Sequence, residues 1–456
     1  MGGGSVFRAV GLMGVVMACA LMLMSVAAGR AVAAPPAGGG SGVHQGVASC
    51  AGSTCHSRPV GTGLVVRQNE LITWQDPSSP AGLHSHAWRA LTESRGQAIA
   101  NRLGLGPAQN AKACLGCHAD PADSRGGRSQ LSDGVGCEGC HGAAGGWIAS
   151  HYVVGATHAG NVAKGMKALE DPRVRANVCL DCHFGSARPG QFVTHQMMAA
   201  GHPRVAFELD LFSTLQQHYD QDADYAKRKA YSGGVKTWAV GQALALDRAL
   251  TLYGDPSKTN GAFPELYFFD CHACHRQISD DPKARPSAQP NPGRGGQVGL
   301  VPFNDENMIM LAAAAKATSP ALAARLDADS RAFHAALPRD RAEAVRAAGR
   351  LAETSRQLGQ AFAGRSFGRA DTMAILEAVL SNDRYTDYIG AAQAVMAADT
   401  LLNAMVSSGQ ADRGTVARIR PALDRAYREV RDPNSFRPEA FRQALQQVAQ
   451  GARSLR

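Results

Sequence analysis

The sequence predicts a mainly α-helical protein in two parts, a region of short helices and long loops followed by a C-terminal helical bundle or cap. In the first part, nearly all cysteines and histidines lie between polar, glycine-rich stretches that show no sustained strand alternation. From Pro302 onward there is no cysteine, only one histidine, and clear amphipathic helical periodicity. A chain of 456 residues with 45% hydrophobic residues is long enough for two or three compact domains.

Composition along the chain indicates four segments. Residues 1–33 are predicted to be a signal peptide, because Arg8 precedes an apolar run that ends near small residues suited to cleavage. The same run is also long enough to serve as an uncleaved membrane anchor. Residues 34–48 begin with a Gly/Pro/Ser-rich stretch and are predicted to be a flexible linker. Residues 49–300 form the predicted cysteine-containing domain, and residues 301–456 the predicted C-terminal α-helical domain without cofactor.

Helical periodicity predicts individual elements in both domains. A helical segment is expected from about Val205 to Tyr253, and a Pro-rich boundary or surface loop from Asp281 to Gly299. In the C-terminal domain, a helix from about Thr386 to Val406 should end near Gly409, which suits a C-cap. Two further apolar stripes consist of Ala344, Ala348, Leu351, Ser355, Leu358 and Phe362, and of Ile375, Leu376, Val379 and Leu380. We interpret these stripes as core.

Ten of the eleven cysteines form five pairs, and each pair is followed directly by histidine. The eleventh, Cys19, lies in the predicted signal. In a c-type haem, two thiols add to the porphyrin vinyl groups and the adjacent histidine is an axial ligand of the iron. The first pair has C-x4-C-H spacing and the others C-x-x-C-H. The pairs and histidines are Cys50, Cys55 and His56; Cys114, Cys117 and His118; Cys137, Cys140 and His141; Cys179, Cys182 and His183; and Cys271, Cys274 and His275.

Structural zinc and disulfides are the competing interpretations of these cysteines. Zinc sites also use C-x-x-C pairs, but they do not require histidine after every second cysteine. Five bridges within short loops would be a poor disulfide framework for a chain of this length. The sequence therefore predicts five covalently attached c-type haems, and it predicts that the protein is exported to the periplasm, where such thiols are normally consumed.

Each haem iron has a second axial position, and the cysteine-containing domain offers more histidines than it needs. We expect His44, beside the linker, and His218 to be surface residues. His272 lies inside its own motif and is too constrained to reach the far side of that haem. The one histidine of the C-terminal domain, His334, is also expected at the surface. The full set of further histidines in the domain is His44, His84, His86, His151, His158, His195, His202, His218 and His272.

The formal charge of +9 is basic, but haem attachment changes it. Signal cleavage removes Arg8 and Arg30, and each ferric haem adds one net negative charge, which leaves about +2, or about −3 when all five are reduced. The charge therefore gives no support for a nucleic-acid partner.

Three stretches follow the first motif in a recognisable order. The first is His86-Ala87-Trp88-Arg89-Ala90-Leu91, the second is the Cys114 to His118 motif, and the third runs from Gly134 to Gly142 with Glu138 inside its motif. The downstream His151 completes the pattern. Over roughly residues 48 to 210, this arrangement resembles the multihaem cytochromes of the cytochrome c-554 type. The wider first spacing, the fifth motif and the long helical C-terminus depart from that family.

The resemblance implies particular second ligands. It implies that His86 is the second ligand of the His141 haem and that His151 is the second ligand of the His56 haem.

The resemblance also implies a second ligand for the His183 haem and an open axial position at one other haem. His202, in a Gly-His-Pro segment, would be the second ligand of the His183 haem, with His195 as the rival. The His118 haem would have an open axial position, unless His158 or His195 closes it.

These observations favour electron transfer between redox proteins, such as a dehydrogenase or a membrane quinone complex, rather than catalysis. The alternative is a haem enzyme that reduces or oxidises a small nitrogen or sulfur oxide at the open haem. A docking role for the C-terminal helices is compatible with either. Membrane contact is expected only if the N-terminal segment is retained as an anchor.

Overall fold

The structure is a computed structural model, and it describes residues 42–60, 67–221, 223–261, 263–275, 280, 291–294 and 301–455. The predicted signal peptide lies outside the described residues, as do most of the predicted linker and most of the Asp281–Gly299 loop. In the described part, the protein is mainly α-helical, as the sequence predicts, with two very short β-ladders.

Helices before residue 300 are short, apart from α7 and α11, and are joined by long loops. They are α1 (Glu70–Gln75), α2 (Ala87–Thr92), α3 (Ser94–Arg102), α4 (Lys112–His118), α5 (Cys137–His141), α6 (His158–Ala163), α7 (Pro172–His183), α8 (His195–Ala199), α9 (Leu209–Leu215), α10 (Ala223–Arg228) and α11 (Gly234–Gly254). The C-terminal helices are longer: α12 (Glu306–Thr318), α13 (Pro320–Ala336), α14 (Arg341–Ala363), α15 (Arg369–Leu380), α16 (Tyr388–Ser407), α17 (Arg413–Glu429) and α18 (Pro438–Ala452).

The two β-ladders each join strands of two residues. β1 (Val43–His44) pairs in parallel with β2 (Ser124–Arg125), and β3 (Thr259–Asn260) pairs antiparallel with β4 (Phe263–Pro264). β1 belongs to the segment that we predicted to be a flexible linker. Its residues are instead folded onto the cysteine-containing region, and the Val47 side chain that follows is buried.

The helical segment predicted from about Val205 to Tyr253 consists of three helices, α9, α10 and α11. The last of them begins after Gly233, which has a φ of +73° that a residue with a side chain rarely adopts. Helical spacing alone did not reveal these interruptions.

One hydrophobic core spans residues on both sides of residue 300, and the described residues form one compact unit. The α11 helix buries Trp238 and Tyr253, and Tyr253 packs edge-on against Phe303 and Phe333 of the C-terminal region. A hydrogen bond from Ser355 Oγ on α14 to a backbone carbonyl of α11 joins the two regions at 2.7 Å. The predicted boundary at residue 300 is therefore not a boundary of the core.

Both predicted C-terminal stripes are buried, on α14 and α15. The third predicted helix is α16, which begins after Asp387, whose carboxylate accepts the Gly390 amide at 2.7 Å, and is followed by Gly409 at a φ of +71°. Among the described helices, α16 is long and apolar enough to cross a membrane, although 67% of its most apolar window is buried inside the protein. Asp399 is its only charged residue. The apolar side chains of α16 are thus part of the hydrophobic core.

A buried ion-pair network fixes residues 291–294 against the C-terminal helices. Arg294 donates to Asp305 and Asp387 at 2.6 Å each, and Arg384 donates to Asp305 at 2.9 Å. His334, which we expected at the surface, is only 6% exposed and lies near this network. Burial lowers its pKa to about 4, so the imidazole is neutral at physiological pH.

Candidate haem-binding sites

Each of the five motif histidines faces one histidine from a distant part of the chain. In all five pairs the ring centroids are 6.0 to 6.3 Å apart. The pairs are His56 with His151 (6.3 Å), His118 with His202 (6.3 Å), His141 with His218 (6.2 Å), His183 with His84 (6.0 Å) and His275 with His195 (6.2 Å).

This spacing fits one iron ion between two imidazoles. A coordinated imidazole nitrogen lies about 2 Å from a metal, and the ring centroid lies about 1 Å further, so two opposed rings should be about 6 Å apart. The angles between ring planes range from 11° to 89°. Ligation permits this variation because each ring can rotate about its bond to the iron, whereas ordinary ring packing favours particular geometries.

Short helices position most of the motif histidines. The α4, α5 and α7 helices end at His118, His141 and His183, so one helical turn carries both thiols and the imidazole of each motif. The fifth motif lies in a 3-10 turn, where the Asp270 carboxylate accepts the His272 amide at 3.0 Å. The His272 ring packs against Tyr388 of the C-terminal region, with the ring centroids 6.1 Å apart.

In five of the ten paired histidines, a neighbouring acceptor holds Nδ1, which leaves Nε2 for the iron. Such hydrogen bonds select the tautomer and orient the ring of a metal ligand. The acceptors are the carbonyl oxygens of Ala87 for His118 (2.7 Å), Ile148 for His151 (2.6 Å), Pro203 for His202 (2.7 Å) and Gln216 for His218 (2.8 Å), and the carboxylate of Glu70 for His56 (3.1 Å).

Desolvation keeps the His141 and His183 imidazoles neutral, and neutral imidazole is the form that binds iron. Burial lowers the pKa of His141 to about 3, with a further contribution from His218, and lowers the pKa of His183 to about 4. His56 differs, because its hydrogen bond to Glu70 raises its pKa. The Glu70 carboxylate thus increases the electron density on this one imidazole.

The pairing of His86 with His141 that the resemblance implied does not occur. His218, expected at the surface, faces His141 instead, and His86 places Nδ1 near Ser85 Oγ (2.9 Å) and the Gly82 carbonyl (3.1 Å). His84 and His86 end the same 3-10 helix but point in different directions, and it is His84 that faces the histidine of the fourth motif. His84 was an available histidine, but no sequence signal singled out His218.

The structure also changes the assignments of His202 and of the open position. His202 faces His118, not His183, so the iron position that the resemblance left open has a histidine on both sides. The turn that carries His202 is attached to α3, because Arg95 and Arg102 donate to its carbonyls at 2.9 Å and 2.7 Å. These contacts hold His202 beside the second motif.

The remaining two candidate ligands are His195 and His158, and only His195 faces a motif histidine. His195, considered as a ligand of the fourth or second haem, faces His275 of the fifth motif, and its backbone amide donates to Glu265 at 2.7 Å. His158 faces no motif histidine within the described residues. Its Nε2 is 2.7 Å from the Glu170 carboxylate, so that nitrogen is already engaged.

The thiols of different motifs lie close to one another. Cys50 of the first motif interacts with Cys137 of the third, and Cys117 of the second interacts with Cys182 of the fourth. The contact with Cys137 lowers the pKa of Cys50, and the contact with Cys182 lowers the pKa of Cys117. A closely packed backbone supports the second contact, since a side chain at Gly116 would place its Cβ 2.3 Å from the carbonyl oxygen of residue 190.

Comparison with known proteins identifies one segment. The family model for cytochrome c554 and c-prime matches residues 50–142, which contain the first three motifs. No curated protein and no solved structure matches the chain. Residues 50–142 are therefore similar to cytochromes of the c554 type, a c-type cytochrome family, and this similarity implies c-type haem as the cofactor of their motifs.

Proposed function

We propose that this protein is a periplasmic pentahaem cytochrome c that transfers electrons between redox partners. The observation that carries the proposal is the set of five histidine pairs, each with space for one iron between its rings. Bound c-type haem supplies iron that alternates between the ferric and ferrous states. Because histidine lies on both sides of each iron position, no position is left for a substrate.

The chain's own residues hold and orient the five groups. Each pair of motif thiols would attach one haem covalently, and each pair of imidazoles would bind its iron. Backbone carbonyls orient several of these rings, and the surrounding protein partly buries His141 and His183. Ligand type, hydrogen bonding and burial are the means by which a protein adjusts haem potentials.

Contacts between the motifs support a linear order of the sites. The first motif contacts the third, and the second contacts the fourth, through their thiols. The third and fourth are also neighbours, since Cys140 contributes to the raised pKa of the partly buried Cys179. His195 and His202 lie seven residues apart on one short segment, which supports a position of the fifth site beside the second. The proposed order is first, third, fourth, second, fifth.

Export and partners are part of the proposal. The sequence of residues 1–33 and the use of all ten other cysteines in motifs support maturation in the periplasm. A dehydrogenase or a membrane quinone complex is the class of partner that we propose. The alternative, catalysis on a small nitrogen or sulfur oxide at the His118 haem, loses its support because His202 faces that site.

Two measurements on the exported protein test the proposal. Intact mass should exceed that of the signal-cleaved apoprotein by five haems. Carbon monoxide added to the reduced protein should bind none of them, because each iron would first have to lose an imidazole. A His202→Ala variant should bind carbon monoxide at about one haem in five, whereas His158→Ala, the matched control, should bind none. Fewer than five haems, or carbon monoxide binding to the unmodified protein, would contradict the proposal.

A further inference from the structure

A buried cluster of His44, Asp120 and Glu138 uses none of the ten paired histidines. The side chains are 7%, 6% and 3% exposed, and one ligand atom from each lies within 4.8 Å of the others. His44 is in β1, Asp120 follows the second haem motif, and Glu138 is inside the third motif. The cluster therefore joins three segments that the chain order separates.

His44 supplies the observation that points to a ligand. Its buried Nδ1 has no hydrogen-bond partner and lies 3.6 Å from Asp120 Oδ2, too far for a hydrogen bond. A buried polar atom without a partner costs about 1–3 kcal/mol. A metal ion bound between this nitrogen and the carboxylates would remove that cost.

The two carboxylates are already held in place by backbone amides. Glu138 accepts the amides of Gln45 (2.9 Å), Gly46 (2.7 Å) and Ala144 (2.6 Å), and Asp120 accepts the amide of Gly136 at 2.7 Å. Hydrogen bonds of this kind orient carboxylates that ligate metals. Glu138 Oε1 accepts two of these amides, so the lone pairs left for a metal are on Glu138 Oε2, which accepts one amide, and on the two Asp120 oxygens. The carboxylate geometry is thus fixed by groups other than His44.

The charge of the cluster also favours a cation. Two buried carboxylates are costly unless nearby positive charge offsets them. Arg125 donates to the backbone carbonyl of Asp120 and to Ser129 Oγ, and these hydrogen bonds do not involve either carboxylate. A divalent ion would balance both carboxylates while the imidazole remained neutral.

We propose that His44, Asp120 and Glu138 bind one divalent transition-metal ion, and that this ion is zinc. Imidazole nitrogen and carboxylate oxygens are ordinary zinc ligands, whereas calcium prefers sites made only of oxygen. Water would complete the coordination. The ion would tie β1 to the peptides of the second and third motifs.

Elemental analysis of the exported holoprotein tests the site without any activity measurement. After incubation with zinc chloride and desalting, the wild type should contain about one zinc per five iron atoms. The His44→Gln and Asp120→Asn variants should each lose at least about 90% of that zinc while keeping five haems. His158→Gln is the matched control, because His158 lies outside the cluster and outside the haem pairs, and it should keep the zinc.

Thermal unfolding gives a second readout on the same samples. Zinc should raise the melting temperature of the wild type and of His158→Gln, and it should leave that of His44→Gln unchanged. Retention of zinc in both cluster variants would overturn the proposal, as would less than about 0.1 zinc per protein in the wild type. If one variant fails to mature, the other variant and the wild-type stoichiometry still decide. Haem content and carbon monoxide binding remain independent of this result.

Discussion

Glu70 is expected to lower the reduction potential of the His56 haem. Its Oε2 lies 3.1 Å from His56 Nδ1, its Oε1 accepts the Gln68 amide at 3.0 Å, and its side chain is 17% exposed. A negative charge at this position favours ferric over ferrous iron. Replacing Glu70 with Gln keeps the shape and a hydrogen-bonding group but removes the charge, so the potential should rise.

The size of the rise follows from Coulomb's law. The carboxylate oxygen is about 7 Å from the iron position, since the ring spans about 2 Å and the iron–nitrogen bond adds about 2 Å. At an effective dielectric constant of about 20, this separation corresponds to about 2 kcal/mol, or roughly 100 mV for one electron. The His56 side chain is 34% exposed, so solvent screening reduces the effect. We expect roughly 50–100 mV.

A spectroelectrochemical titration measures this shift. In the Glu70→Gln variant, about one fifth of the haem absorbance change should move to higher potential, and the remainder should be unaltered. Glu343→Gln is the control, since Glu343 lies in the first turn of α14, far along the chain from any motif, and it should leave all five potentials unchanged. An unchanged titration in Glu70→Gln, or a shift to lower potential, would refute the assignment of Glu70.

Three further predictions concern a ligand, a close backbone contact and a buried acid. His218→Ala should open one iron of the reduced protein to carbon monoxide, while His86→Ala should open none; the reverse result would restore the assignment implied by the resemblance. Gly116→Ala should destabilise the protein by about 1–3 kcal/mol in thermal unfolding, because its Cβ would lie 2.3 Å from the carbonyl oxygen of Gly190. Glu208 is fully buried, and burial raises its pKa to about 8. The folded state therefore holds a proton that the unfolded state releases near pH 4.5, so stability from this group should fall between about pH 4.5 and 8. Glu208→Gln should flatten that part of the stability profile, and an equally steep profile would contradict the raised pKa.

The attachment motifs could be predicted from the sequence because their chemistry is local. One turn of chain carries both thiols and the imidazole, so residue identity at fixed spacing specifies the arrangement. The helical C-terminal region was predictable for a similar reason. Stripes such as the one through Leu351 and Leu358 repeat with the helical period, and both side chains are buried as that repeat predicts.

Local spacing could not predict the facing histidines, because each pair joins residues 77 to 99 positions apart. The resemblance, rather than spacing, named His151 for His56, and these two rings do face each other. Such a contact depends on how intervening loops fold, and local spacing carries no information about that. His84 and His86 illustrate the limit, since they are two residues apart and only one faces a motif histidine. His44 illustrates the same limit. It lies in a segment with the composition of a linker, but β1 pairs with β2 there and the His44 side chain is buried.

In the proposed arrangement, the second histidine of the fifth site and that of the His118 site come from one segment of the chain. In the arrangement implied by the resemblance, the second motif has an open position and no fifth motif follows. Here the segment from His195 to His202 places one histidine opposite His275 and the other opposite His118. Gly201, at a φ of +110°, forms the turn that lets the segment face both sites, and α3 holds this turn through its arginines. The same segment thus provides the second histidine of the His118 site and that of the His275 site. In the proposed arrangement, the fifth haem would extend the electron path beside the His118 haem, where the resemblance implies an open iron position.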